Sequence, residues 1–181
     1  MADVQRMVAV CGSDHQGVRD KAILLTLLDV GPHAIELANF DLSDLNPLTG
    51  DLVIRKGKGK KGRIVFLGQH TRRVVRAYIP RRGTMPGLLF LNRSRCRMKY
   101  AAVRSVLTRR AKLARLESVP SAHDFRRAFA LNCLRNGMDL LSLQRPLGHT
   151  DLSILKPYVK QTSGDLQAAH ATGSPVDHGG F

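Results

Sequence analysis

Residues 121–158 read SAHDFRRAFALNCLRNGMDLLSLQRPLGHTDLSILKPY, and this stretch decides which fold the chain can adopt. Ser121 is a suitable N-cap, apolar residues recur behind it at helical spacing, and Gly137 is a stop signal, so a helix is predicted between them. Shorter helices are predicted over 139–148 and 151–159. The stretch is therefore predicted to be a series of helices joined by short turns.

The flanking sequence adds further helices and one pair of strands. Apolar spacing predicts helices over 3–11, 17–29, 33–39, 69–79, 98–115 and 163–171. The segments DLVIR (51–55) and RIVFL (63–67) are predicted strands, joined by a tight basic turn. The predicted fold class is mainly α with a small antiparallel β-sheet (α+β).

The charge of the chain predicts a polyanionic partner. The formal net charge is +15 and the isoelectric point is about 10.7. No Asp or Glu lies between Asp51 and Glu117, whereas Lys and Arg recur throughout that segment. A solvated basic face would explain some of this excess, but so long a stretch of one sign repels itself. We therefore predict phosphate contacts, with an affinity for DNA that falls steeply as salt is added.

Composition disfavours several other classes of protein. The chain has no Trp and 5% aromatic residues, which disfavours a single-strand binder that stacks bases. Cys11, Cys96 and Cys133 lack metal-ligand spacing and are interpreted as free thiols of a reducing cytoplasm. The apolar run at 21–30 is too short to span a bilayer, so no membrane partner is predicted.

Five side chains suit covalent phosphodiester chemistry. His123 and Arg126 are three residues apart and would share one helix face. His149 ends the segment LGH, Tyr158 follows nine residues later, and Lys58 lies in the basic turn. Covalent strand cleavage needs a nucleophile, cations on the phosphate and an acid for the leaving oxygen. Each residue alone has an ordinary explanation, such as a surface pair, a basic loop or a helix cap, but their order and spacing together favour one site.

Four segments carry a resemblance to the catalytic domain of the tyrosine recombinase (phage integrase) family: GKGKKGRIVFL (57–67), HDFRRAFA (123–130), LGHTDLS (147–153) and KPYV (156–159). The resemblance runs from about residue 17 to about residue 170. It implies a catalytic domain over residues 1–172, followed by a flexible tail at 173–181. It also implies that the N-terminal domain of the family, which helps to clamp DNA, is absent from this chain.

The resemblance assigns a role to each residue. Tyr158 would attack the scissile phosphate and hold a 3′-phosphotyrosine link, while Arg126 would grip the phosphate with two N–H groups. His123 would bond the phosphate and assist proton movement, His149 would donate to a non-bridging oxygen, and Lys58 would protonate the leaving 5′-oxygen. No metal, cofactor or ATP is implied. Further DNA contacts are predicted for Lys56, Lys60, Lys61, Arg63 and Arg127.

One departure from the family pattern affects the expected activity. The family places its first catalytic arginine in a segment like TGLRxSEL, where this chain has VGPHAIEL (30–37), so His33 takes that position. A neutral imidazole offers one donor and no fixed charge. Losing one preorganised donor costs about 3–4 kcal/mol, or about 10²–10³ in rate. Glu36, which would normally orient the arginine, is the expected partner of His33.

Pro146 and Pro157 leave two explanations open. A proline inside a helix costs about 3 kcal/mol, a cost that vanishes in the first turn. Either both prolines begin helices and the enzyme works slowly with His33, which is slightly favoured, or the chain is a catalytically decayed, DNA-binding remnant of a mobile-element integrase. A DNA-binding module that does not cut, a basic RNA-binding protein and a metal site among the His residues are the remaining alternatives.

The resemblance also implies partners and a setting. Duplex DNA is the expected substrate, and the protein is expected to act in the cytoplasm, associated with the nucleoid. The family assembles as a tetramer on DNA, so a homotetramer is expected here. Residues 163–181 are expected to dock on a neighbouring subunit.

Overall fold

The computed structural model describes residues 1–55, 62–148, 167 and 170–178, in two compact units, Met1–Asp151 and Leu152–Phe181. The described elements of the first unit are, in chain order, α1 (Ala2–Ala9), α2 (His15–Val30), α3 (Ala34–Ala38), a 3₁₀ turn (Leu42–Asp44), β1 (Asp51–Ile54), β2 (Arg63–Phe66), α4 (Gln69–Arg82), α5 (Tyr100–Leu113), α6 (Ala122–Arg135) and α7 (Leu140–Leu147). In the second unit, α8 (Pro175–His178) is one helical turn inside the segment predicted to be a flexible tail. Residues 167 and 170–173 are helical, and the helix predicted over 151–159 lies outside the described residues.

Helix α2 is central to the first unit, where it packs against α1, α4 and α6. Asp14 caps its N-terminus by accepting a hydrogen bond from the backbone N–H of Gly17 at 3.0 Å. The helix ends at Gly31, whose φ of 56° is left-handed and favours a residue without a side chain. A Cβ at Gly31 would also lie 2.5 Å from the ring of Phe129. Gly31 thus ends α2 and brings α6 close to the turn that leads to His33.

The strands β1 and β2 form the predicted antiparallel hairpin. Their register pairs Asp51 with Phe66 and Ile54 with Arg63. Leu52 and Ile54 are buried, so one face of the hairpin packs on the core. The fold class, mainly α with a small antiparallel sheet, is confirmed.

Helix α4 is longer than predicted, because it continues to Arg82 with Pro80 inside it. A proline near the end of a helix removes only one backbone donor, so the last turn can still form. Arg82 stabilises this end by donating to the backbone carbonyls of Gly83, Met85 and Leu88 at 2.6–2.8 Å. Arg82 thus holds the loop that follows α4 against the end of the helix.

The helix predicted over 139–148 is confirmed as α7, and Pro146 lies in its last turn, one residue before the helix ends. The explanation in which both prolines begin helices is therefore wrong for Pro146. Arginine side chains bond the carbonyls there. Arg63 Nε donates to the carbonyl of Pro146, and Arg126 Nη2 donates to that of Leu147, each at 2.6 Å. The end of α7 thus has hydrogen-bond partners despite the proline. Pro157 lies outside the described residues.

The acid-free stretch is not uniformly available for phosphate. Arg82 and Arg110 are buried, and Arg110 joins Arg19 on the fully buried carboxylate of Asp20. For Arg82 and Arg110 the predicted phosphate contact is wrong, because burial commits them to internal partners. Arg55 and Arg97 are exposed but bond Asp44 and Asn39. The other described cations of the stretch that are exposed are Arg73, Arg76, Arg81, Arg93, Arg95, Lys99, Arg104, Lys112 and Arg115.

Candidate active site

Three of the predicted catalytic residues line one pocket of the first unit. His33, His123 and Arg126 share a pocket of about 320 Å³ with residues from α3, α5 and the start of α6. His33 is the N-cap of α3, whereas His123 and Arg126 lie in the first two turns of α6. The three-residue spacing brings the last two to the same pocket, as predicted. The other predicted catalytic residues lie outside the described part of the chain: Lys58, His149 and Tyr158.

A capping box sets where α6 begins. The backbone N–H and the hydroxyl of Ser121 donate to the carboxylate of Asp124 at 2.8 and 2.7 Å, and the Asp124 N–H donates to the Ser121 hydroxyl at 3.2 Å. The hydrogen bonds from Ser121 hold the pKa of Asp124 below its usual value. The ionised carboxylate suits the positive end of the helix. His123, between these two residues, therefore has a well-defined backbone position.

Arg126 is almost completely buried, at 1% exposure. Its Nη1 donates to the carbonyl of Gly31 and its Nη2 to the carbonyl of Leu147, both at 2.6 Å. These carbonyls are at the C-terminal ends of α2 and α7, where a helix leaves acceptors without intrahelical partners. Arg126 thus joins two helix ends at the pocket wall. Its bidentate contact with phosphate stays a prediction.

Glu36 is held by Arg63. The Glu36 carboxylate accepts hydrogen bonds from Arg63 Nη1 and Nη2 at 2.7 and 2.8 Å, and from the backbone N–H of His33 at 2.8 Å. The side chains of Arg63 and Glu36 are 10% and 15% exposed. Arg63 therefore occupies the carboxylate that was expected to serve the residue at position 33. The same pairing argues against the DNA contact predicted for Arg63.

The pKa of Glu36 lies below its usual value. Burial opposes ionisation of the carboxyl group, but the hydrogen bonds from Arg63 and from the His33 backbone outweigh it. A carboxyl group with a lowered pKa in the folded state stabilises that state above its unfolded pKa, and this contribution is lost as the pH falls through the folded pKa.

We expect Glu36→Gln to remove part of the acid sensitivity of folding. In the unchanged protein, the free energy of unfolding should fall as the pH is lowered below the ordinary pKa of 4.5, because Glu36 takes up a proton in the unfolded chain before it does so in the folded one. In Glu36→Gln this contribution is absent at every pH, so the difference between the two proteins should shrink toward pH 3. Urea unfolding from pH 6 to pH 3 measures it. A difference in the free energy of unfolding that stays constant from pH 6 to pH 3 would contradict the lowered pKa of Glu36.

The remaining predicted DNA contacts are placed differently. Arg127 is exposed on α6, beside the buried Arg126. Its DNA contact stays a prediction. Lys56, Lys60 and Lys61 lie outside the described residues.

The pocket also contains Tyr100, which sequence reasoning missed. Tyr100 begins α5, is 63% exposed and lines the pocket with His33, His123 and Arg126. An exposed tyrosine at the start of a helix has no distinctive sequence signal, since only the packing of α3 against α5 brings it to this place. The phenol of Tyr100 therefore lies beside the candidate phosphate ligands.

Neither a cluster of metal ligands nor a membrane-spanning helix occurs in the described parts of the chain. There, no three His, Cys, Asp or Glu side chains come together as metal ligands would. Nor does any helix in those parts have the length and apolar character needed to cross a membrane.

The first unit, with its hairpin and its pocket at the start of α6, has the fold of a tyrosine recombinase catalytic domain. The chain belongs to the phage integrase family, whose sequence model matches residues 1–164. The resemblance inferred from the four sequence segments is thereby confirmed.

Relatives and solved structures agree with this assignment. Tyrosine recombinase XerC of Syntrophus aciditrophicus is 32% identical over 174 residues, covering 91% of this chain and 56% of that protein. Tyrosine recombinase XerA of Thermococcus kodakarensis is 32% identical over 170 residues, covering 92% of this chain and 59% of that protein. The chain thus spans little more than half the length of these relatives.

The crystal structure of XerA recombinase superposes with a TM-score of 0.79 at 26% identity, over 96% of this chain and 64% of that one. A XerH site-specific recombinase bound to difH substrate shares the fold, with a TM-score of 0.76 at 21% identity, over 96% of this chain and 53% of that one.

Proposed function

We propose that this chain is the catalytic part of a site-specific DNA recombinase that cuts and rejoins duplex DNA through a 3′-phosphotyrosine intermediate. The observation that carries the proposal is the pocket in which His33, His123 and Arg126 meet. Two imidazoles and a guanidinium are suitable donors for a phosphate whose charge grows during nucleophilic attack. The net charge of +15 supports binding to DNA.

In the proposed reaction, the oxygen of Tyr158 attacks the scissile phosphorus while His123 takes the phenolic proton, and the bond from phosphorus to the 5′-oxygen breaks. Lys58 gives a proton to that oxygen, which leaves as a 5′-hydroxyl, and the phosphate stays on Tyr158. Arg126, His123 and His149 stabilise the added negative charge on the non-bridging oxygens. A 5′-hydroxyl that attacks the phosphotyrosine reverses these steps and rejoins the strand. The steps balance without a metal, cofactor or ATP.

The setting follows from the same proposal. The recombinase would act on DNA in the cytoplasm, associated with the nucleoid, and assemble as a homotetramer on two duplexes. Residues 163–181 would dock on the neighbouring subunit. A truncation after Thr162 that leaves self-association on DNA unchanged would remove this part of the proposal.

The experiment that tests the function is covalent trapping on a pool of nicked, randomised DNA duplexes. A nick beside the cleavage position lets a short fragment diffuse away, so the covalent intermediate accumulates. An SDS-resistant shift in mass is expected with the chain as it stands. A protein that binds the duplexes without any adduct would instead support the second candidate, a decayed DNA-binding remnant. The observation that favours this second candidate is His33 in place of arginine.

We expect His33→Arg to increase the rate of adduct formation by about tenfold to a hundredfold, since it restores a permanent guanidinium in the pocket. The gain should be smaller than the 10²–10³ expected for a fully preorganised donor, because Arg63 already occupies Glu36. Single-turnover trapping of both proteins measures the ratio, and DNA affinity serves as the control. A rate that is unchanged or lower at equal affinity would show that residue 33 does not contact the reacting phosphate.

A further inference from the structure

Arg63 joins three parts of the first unit that are far apart in sequence. It begins β2, it contacts Glu36 of α3 across 27 positions, and it contacts Pro146 of α7 across 83 positions. All three nitrogens of its guanidinium donate a hydrogen bond. Nε donates to the Pro146 carbonyl at 2.6 Å, while Nη1 and Nη2 donate to the two Glu36 oxygens at 2.7 and 2.8 Å.

This arrangement needs a guanidinium. The planar fork of arginine reaches both carboxylate oxygens and a third acceptor at the same time, whereas lysine is a single point of charge on a flexible stem. Gly148 is a near neighbour of this contact, since a Cβ built there would lie at an ordinary van der Waals distance of 3.7–3.8 Å from Arg63 atoms.

Each segment that Arg63 joins leads directly to a predicted catalytic residue. β2 follows the sequence segment that contains Lys58, α3 has His33 as its N-cap, and Gly148 precedes His149. We propose that Arg63, through Glu36 and Pro146, is a positioning residue that keeps these three segments in register for strand cleavage. The inference rests on the proposed function for the reaction it serves, but the coupling of the segments is measurable without that reaction.

Arg55 provides a matched control on the same hairpin. It follows the last residue of β1, on the other side of the turn, and pairs with Asp44 at 2.5 Å while its own side chain is 67% exposed. Arg55→Lys and Arg63→Lys both keep the net charge, so the general attraction for DNA is the same in both variants. They differ in whether a buried bidentate contact is lost.

The test compares adduct formation on two nicked duplexes, one with an ordinary phosphate and one with sulfur in place of the bridging 5′-oxygen. When the bond from phosphorus to sulfur breaks, a thiolate leaves that needs no proton from Lys58, since thiols are far more acidic than alcohols. On the ordinary duplex we expect Arg63→Lys to slow adduct formation about tenfold or more, because Lys58 is no longer aimed correctly. On the sulfur duplex Lys58→Ala should return to within about threefold of the unchanged protein. The loss in Arg63→Lys should be clearly smaller there than on the ordinary duplex, because the part that is due to Lys58 is bypassed. Arg55→Lys should behave like the unchanged protein on both.

A second measurement follows hydrogen exchange of backbone amides in the free protein. Arg63→Lys should speed exchange both at residues 33–37 and at residues 147–148, whereas Arg55→Lys should change neither. Equal loss of activity on both duplexes would overturn the positioning role and leave a purely structural one. Full activity of Arg63→Lys would also overturn the positioning role. If neither the unchanged protein nor His33→Arg forms an adduct on duplexes that both bind, the proposed function fails. In that case hydrogen exchange alone tests whether Arg63 couples the three segments, and unchanged exchange in Arg63→Lys would show that it does not.

Discussion

Replacing Tyr158 with Phe is expected to abolish the covalent DNA adduct while DNA affinity and the free energy of unfolding stay the same. The substitution removes one hydroxyl oxygen, which is the proposed nucleophile, and keeps the ring. Loss of a nucleophile lowers the rate of covalent catalysis by about 10⁴-fold or more, so no adduct should be detected on an SDS gel. Binding of the same duplexes, measured by fluorescence anisotropy, should be equal in both proteins.

The chain provides a matched control, because it contains three tyrosines. Tyr78 is fully buried, and its hydroxyl accepts a hydrogen bond from the backbone N–H of Leu91, so it is not available to DNA. Tyr100 lines the pocket and is 63% exposed. Because Tyr158 and not Tyr100 is the proposed nucleophile, Tyr100→Phe should keep the adduct. An adduct that survives in Tyr158→Phe and disappears in Tyr100→Phe would reverse the assignment of the nucleophile.

Arg126→Lys is expected to reduce both stability and strand cleavage. Lysine cannot donate to the Gly31 and Leu147 carbonyls with the geometry of arginine, and a buried carbonyl without a partner is costly. We expect the free energy of unfolding to fall by about 3 kcal/mol. At a temperature where the variant is still folded, adduct formation should fall by about 10²–10³, since a preorganised phosphate ligand is lost. Urea unfolding and single-turnover trapping measure the two effects.

Arg135 offers the comparison for this variant. It is exposed in the last turn of the same helix, so Arg135→Lys should change neither quantity appreciably. A stable, fully active Arg126→Lys protein would mean that the two carbonyl contacts contribute nothing. It would also mean that Arg126 is not a phosphate ligand.

The parts of the fold that were predictable are those determined by local sequence. The N-cap at Ser121 and the apolar spacing behind it are sufficient to predict α6, and the three-residue spacing is sufficient to place His123 and Arg126 at one pocket. The hairpin was predictable for the same reason, since two short β-forming segments flank a glycine-rich turn.

The contacts that were missed depend on long-range packing. The pairing of Arg63 with Glu36 spans 27 positions, and nothing in the basic run distinguishes Arg63 from its neighbours. Likewise, only the folded chain shows that Arg110 is buried on Asp20. The hydrogen bonds at the end of α7 beside Pro146 were missed because their arginine donors come from β2 and α6. Charge counts therefore overstated how much of the basic stretch is available to DNA.

The measurement that tests the central claim most directly is peptide mapping of the trapped adduct by mass spectrometry. After nuclease and protease digestion, a nucleotide 3′-phosphate should remain on the peptide that contains Tyr158, and the DNA sequenced from the same sample should begin to define the cleavage site. The claim would be contradicted by a link to Tyr100 or any other residue. It would also be contradicted if neither the unchanged protein nor His33→Arg yields a DNA-linked peptide from duplexes that both proteins bind.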